Sequence, residues 1–240
     1  APPESAEAES IVHAIRADRR VLDGELLVAG PAARNVDSTA FLLSRAPHAV
    51  FFVTGVTFLV VLVMLRSVLL PIKAIAMNAL SIAASFGVLV WVFQDGHLLV
   101  SEGRPLEPAL PVLLFCVSFG MSMDYEVLML ARMKEAYERT GDNTAAVGDG
   151  LESSAGLVTS AAAIMVSVFL AFALARVVVL QATGVGLAVA VALDATLVRA
   201  LLVPSTMRLL GHLNWWAPRW LGGNRPRKEV SAAADPAQPS

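Results

Sequence analysis

Five long apolar blocks dominate the chain, and their spacing sets its elements. They run roughly Pro47–Leu65, Val68–Phe93, Pro108–Ala131, Ser153–Ala175 and Val177–Leu210. Each can cross a hydrocarbon core of about 30 Å at about 1.5 Å per residue as a helix. None alternates apolar and polar residues as an outer-membrane strand would, and all are longer than such a strand. The pattern predicts an all-α polytopic membrane protein with five transmembrane helices. Ahead of the first block the periodicity changes. Glu4–Arg20 predicts an amphipathic helix with Ile11, Val12 and Ile15 on one face. Glu25–Ala29 predicts a short strand, broken by Gly30-Pro31, and Ala33–Arg45 a second helix leading into the membrane. This α/β piece is too short to bury a core alone and is expected to end an extramembrane domain. The predicted divisions are residues 1–46, 47–211 and 212–240, the last holding a tryptophan cluster and a tail rich in Ala, Pro and charge.

Composition sharpens this picture. Of 240 residues, 56% are hydrophobic and 16% charged, whereas a soluble domain is about 25% charged. Mean hydropathy is +0.66. A net charge of −2 gives no reason to expect nucleic acid as a partner. The single cysteine, Cys116, excludes an internal disulfide and is expected to pack as a small apolar side chain. His13, His48, His97 and His212 are scattered, no zinc spacing is present, and no metal or cofactor is expected. No phosphate-binding glycine loop and no catalytic constellation occurs, which argues against an enzyme. The polar opening Ala1-Pro2-Pro3-Glu4, without a methionine, suggests a piece of a longer protein.

Lysine and arginine near the block ends give an orientation. Arg66 and Lys73 flank the first turnaround. Arg132, Lys134 and Arg139 follow the third block, and Arg208, Arg219, Arg225, Arg227 and Lys228 follow the last. The other side has only Arg104 and Arg176. The first set is expected in the cytoplasm with the C-terminus, and the N-terminal piece outside, in an inner (plasma) membrane. The mixed charges Arg132–Arg139 predict a helix lying along the inner surface. Trp215, Trp216 and Trp220 stand where an interfacial anchor belongs.

Ionisable residues inside the spans carry the chemistry. Asp124 lies eight residues before Arg132, or about 12 Å inside that end of its helix. A carboxyl there costs a few kcal/mol or more unless it is paired, protonated or facing water, and most such groups are functional. Tyr125 adjoins it as a hydrogen-bond donor or relay, and Gly120, one turn earlier, would admit a close neighbouring helix. Glu126 is on a nearly opposite face and is expected in a structural or interfacial role nearer the headgroups. Asp194 and Arg199, five residues apart, are separated by about 140° on an α-helix and do not pair ideally. Arg199 lies about 13 Å before Arg208, matching Asp124 in depth, so an Asp124–Arg199 contact is expected; a structural ion pair is the alternative role for Asp194 and Arg199. Thr159 and Ser160 can hydrogen-bond across helices. Ala161–Ala163 and Gly184-Val185-Gly186 imply tight packing.

Taken in order, Ser122-Met123-Asp124-Tyr125-Glu126, Thr159-Ser160-Ala161-Ala162, Gly184-Val185-Gly186-Leu187-Ala188, Asp194-Ala195-Thr196-Leu197-Val198-Arg199 and Asn214-Trp215-Trp216 form a joint pattern over about Gly24–Leu221. It resembles the MmpL branch of the resistance-nodulation-division (RND) transporters. The resemblance implies the last five of twelve spans, after the end of a small α/β periplasmic porter domain. It implies a proton relay at Asp124 and Tyr125, facing an Asp-Tyr pair on a fourth span in a missing N-terminal half. Ser122, Glu126, Thr159, Asp194 and Arg199 become supporting or ion-pair candidates. Protons would be the coupling ion, membrane lipids the surroundings, and a lipid or hydrophobic small molecule the substrate; assembly as a homo-oligomer is left open. The rival readings are a proton-driven accessory of protein secretion and a lipid- or sterol-sensing membrane protein without a coupling ion.

Overall fold

A computed structural model of the chain describes residues 5–17, 20–21, 24–95 and 109–216. It opens with α1 (Ala6–Ala17), then β1 (Arg20–Val21) paired antiparallel with β2 (Gly24–Glu25). The strand expected over Glu25–Ala29 stops at Glu25, because the ladder among the described residues offers no partner beyond it. On α1, Val12 is buried against Ala33 and Val36, but Ile11 and Ile15 are exposed. One covering helix shields a narrower stripe than the predicted face. Arg16 forms two hydrogen bonds with the Asp37 carboxylate, and this bonding raises the guanidinium pKa above its ordinary value.

The helix α2 (Pro31–Leu65) merges the predicted second helix with the first span and runs through Pro47. Proline removes one backbone donor and crowds the preceding turn. Pro47 is exposed, so no neighbour competes for the space of its ring, and the His48 ring nitrogen contacts the Ser44 carbonyl at 3.1 Å. Next come α3 (Leu69–Leu89), closed by a π-helical turn over Val90–Gln94, then α4 (Leu110–Thr140) and α5 (Asn143–Ala173). The stretch Arg132–Arg139 continues α4 without a break and is not a separate surface helix. Gly141 (φ 68°) ends α4, its N–H donating to the Tyr137 carbonyl, and Asp142 caps α5 through the Thr144 N–H at 2.8 Å. The last span joins α6 (Val178–Leu193), a π-helical segment Asp194–Leu202, α7 (Val203–Leu210) and a 3₁₀ turn Gly211–Trp215.

Among the described residues, five helical stretches are long and apolar enough to cross a membrane, the first at Pro31–Leu65 and the last at Val178–Trp215. The chain is a multi-pass membrane protein. Phe51, Phe52 and Ile164 stand 82%, 69% and 66% exposed, as side chains turned toward lipid tails would.

The described residues group into two compact units. One comprises those of Ala1–Gly55, Ile82–Phe119 and Val166–Ala190, the other those of Val56–Ser81, Gly120–Met165 and Val191–Ser240. In the first unit, Leu89, Phe93, Leu110, Leu114, Ala182 and Leu187 build an apolar core, and the Ser85 hydroxyl donates to the Gly186 carbonyl at 2.7 Å. Glycine is required where α6 meets α5. A Cβ on Gly184 would lie 2.6 Å from the Phe169 carbonyl oxygen and 2.8 Å from the Ala173 nitrogen, and backbone atoms cannot step aside. Gly184→Ala is expected to destabilise by about 1–3 kcal/mol, read as a lowered unfolding temperature in detergent. Gly120→Ala is the control: Gly120 is exposed, with nothing within 4 Å of a built Cβ, so the close approach expected there is not made among the described residues. An unchanged unfolding temperature for Gly184→Ala would refute the packing account. Cys116, expected to be packed, is exposed on α4, on a face that no described helix covers.

Candidate functional site

The second unit holds the buried charged side chains of the spans, Lys73, Glu126, Asp194 and Arg199. Positions two apart on a helix lie about 200° around it, so α4 turns Asp124 and Glu126 in opposite directions. Asp124 is exposed and Tyr125 half-buried, while Glu126 is only 1% exposed. Glu126 is therefore an interior carboxyl, near charges of the last span and α3; of the structural and interfacial placements expected, it does not take the interfacial one.

The last span supplies the partners through a local change of helix type. In the segment Asp194–Leu202 backbone bonds run five residues back, as with Val203 N–H to the Val198 carbonyl. The wider turn makes positions five apart neighbours, and Arg199 Nη2 lies 2.6 Å from Asp194 Oδ2. The pairing that α-helical geometry disfavours is thus made. Pro204, just beyond, has no N–H to give the preceding turn and crowds its carbonyls, which favours the widening. Arg199 also donates to the Ser122 carbonyl at 2.7 Å and stacks over the Tyr125 ring, 5.3 Å from its centre. The expected Asp124–Arg199 contact is not formed: the guanidinium is committed to Asp194, Ser122 and Tyr125.

A fourth charge belongs to this cluster. Lys73, counted above as flanking a turnaround, lies inside α3 and is 9% exposed. Lys73, Asp194 and Arg199 all lie within electrostatic reach of Glu126, giving two cations and two carboxylates. Ser122, 5% exposed, faces the Asp194 carboxylate. Thr159 and Ser160 are exposed on α5 and do not join, and the Ser160 hydroxyl bonds back to Leu157. The available signal for Lys73 was a polar stripe along α3: Asn78, Ser81 and Ser85 are buried with it.

A second polar node lies beyond α7. Asn143 donates to the Met207 carbonyl at 2.9 Å and accepts from Trp215 Nε1 at 2.9 Å; Asn214 donates to Met207 at 2.7 Å. The Trp215 ring stacks on Tyr137 at 4.5 Å with 8° between planes, and Ser67 donates to the Asn214 carbonyl. Trp215 is therefore an interior clasp and not an interfacial anchor. Trp216 is exposed, and Trp220 lies outside the described residues.

A family model described as the MMPL family matches residues 2–233. The chain belongs to the MMPL family. This is the MmpL branch of the RND transporters that the Asp-Tyr and Asp-Ala-Thr motifs resemble. The chain is 39% identical over 226 residues to the mycolic acid-containing lipids exporter MmpL11 of Mycolicibacterium smegmatis, covering 91% of this chain and 24% of that protein. It is 41% identical over 197 residues to a protein of Mycobacterium tuberculosis named heme uptake protein MmpL11, covering 81% and 20%. It is 39% identical over 198 residues to the trehalose monomycolate exporter MmpL3 of M. tuberculosis, covering 81% and 21%. The chain thus spans about a fifth to a quarter of the length of these MMPL relatives.

Proposed function

We propose that this chain is the C-terminal part of a proton-driven MMPL exporter of lipids or related amphipathic molecules. The observation that supports it most is the placement of Asp124. Its carboxyl is exposed on a span helix, next to a Tyr125 ring held under Arg199. A membrane carboxyl without a partner among the described residues is costly, and a facing helix in the rest of the transporter would complete a relay. Protonation of Asp124 would remove a charge from the span and shift its packing, coupling to substrate-binding domains outside the membrane. The N-terminal piece lies outside the inner membrane and the C-terminus in the cytoplasm, as Arg66, Arg132 and Arg139 favour. Two relatives named as exporters of mycolate-containing lipids support a lipid substrate.

The test is gradient-driven movement of a fluorescent phospholipid by the full-length transporter in vesicles. Asp124→Asn is expected to abolish movement while leaving expression and unfolding temperature unchanged. Undiminished movement would make Asp124 a packing residue and bring the uncoupled sensing reading forward. A second reading, uptake of a porphyrin-like molecule, follows the relative named for heme. Hemin in place of the phospholipid distinguishes the two, as does a protein substrate for the secretion reading.

A further inference from the structure

Lys73 is the buried charge that the Asp124–Tyr125 relay leaves unexplained. It lies four residues past the first residue of α3, or about 6 Å inside that end. The turn that precedes it lies beside the end of α4, where Lys134 donates to the Met64 carbonyl. Counting inward along α4 from Arg132, Glu126 is about 9 Å deep and Asp124 about 12 Å. Charged side chains therefore descend in steps from that end of the helices toward the relay.

Among the described residues, Lys73 Nζ, Glu126 Oε1 and Arg199 Nε are buried without a hydrogen-bond partner, while the Ser122 hydroxyl lies beside the Asp194 carboxylate. Arg199 and Asp194 close one contact, at 2.6 Å between Nη2 and Oδ2. Lys73 and Glu126 are 9% and 1% exposed and lie within electrostatic reach of each other, and neither Lys73 Nζ nor Glu126 Oε1 has a hydrogen-bond partner among the described residues. Such groups are costly unless their charges are used. The other charges facing Glu126 are Asp194 and Arg199, both from the last span.

We infer that Lys73 is a positioning residue for a second protonatable station at Glu126, on the path between the Asp124–Tyr125 relay and the membrane face at the α2–α3 turn. This rests on the proton-driven reading above. With Lys73 as ammonium and Arg199 as guanidinium, both carboxylates are balanced. One proton taken up by the Glu126 carboxylate forms an O–H bond and gives the cluster a single positive charge. Its release to the opposite phase restores neutrality, and no other bond is made or broken.

The experiment uses the full-length transporter in vesicles, the fluorescent phospholipid probe and a series of imposed pH gradients. Lys73→Met is expected to displace the pH of half-maximal transport by about one unit, and Lys73→Arg to keep the wild-type profile. Should Lys73→Met not fold, the neutral pair Lys73→Met/Glu126→Gln is used and is expected to lose that pH dependence. A wild-type profile in Lys73→Met, or in the neutral pair, overturns the inference, even where the transport rate falls. Asp124→Asn run in parallel separates the two failures. If it stops transport while Lys73→Met keeps the wild-type profile, only the role of Lys73 falls. If Asp124→Asn transports normally, the proton-driven reading falls and this station with it.

Discussion

Arg199→Met in the full-length transporter is expected to lose about 3–5 kcal/mol of stability. Arg199 is 5% exposed and engages the Asp194 carboxylate, the Ser122 carbonyl and the Tyr125 ring. Its removal leaves Asp194, 6% exposed, as a buried carboxylate without its cation. The loss comes mainly from that stranded charge and only partly from the bonds themselves. Arg199→Met/Asp194→Leu, which removes both charges, is therefore expected to recover most of the stability. The measurement is the unfolding temperature of purified protein in detergent, with monodispersity as a check. A single variant as stable as the wild type, or a double variant no better than the single, would refute the account. The double variant is still expected to be inactive in transport, because the Tyr125 ring loses the cation above it.

Trp215→Ala is expected to cost about 3–5 kcal/mol through the cavity it leaves. Trp215 is buried, stacked on Tyr137, and its Nε1 is the donor to Asn143 Oδ1. The truncation also strands that amide oxygen, 72 residues away in sequence, at an additional cost of about 1–3 kcal/mol. Trp215→Phe separates the two contributions: stacking survives and only the hydrogen bond is lost. Its unfolding temperature should fall between wild type and Trp215→Ala. Limited proteolysis beyond Leu210 provides an independent reading, since the clasp ties Asn214 to Ser67 and Met207. Protection unchanged in Trp215→Ala would show that the clasp does not hold this end.

The places where local pattern misled share a cause. Ile11 and Ile15 were assigned to a buried face by periodicity, but burial depends on how much surface the neighbour covers, and only Val12 is covered. Pro47 looked like a helix boundary, yet one missing donor did not outweigh the bonds on either side of it. Lys73 was assigned to a turnaround because it lies close to one in sequence, while the packing of α3 takes it inside. Trp215 carries an anchor's composition, but a partner amide on another helix draws it inward. The pair proposed as a relay, Asp124-Tyr125, stood out because a carboxylate in an apolar run is a strong local signal. Its neighbours were not, because Arg199 meets Asp194 only through a π-helical turn.

The sequence by itself determined that the chain is helical, that its described residues include five helices long and apolar enough to cross a membrane, and to which family it belongs. Lipid offers backbone groups no hydrogen bonds, so each crossing pairs them internally as one long apolar helix, and that requirement is written locally in composition. Only the tertiary structure decided which charges meet: Asp124 left outward, and Glu126, Lys73, Asp194 and Arg199 gathered inside. Those meetings depend on helix rotation and on a change of helical pitch, and both are set by side chains from distant segments packing together.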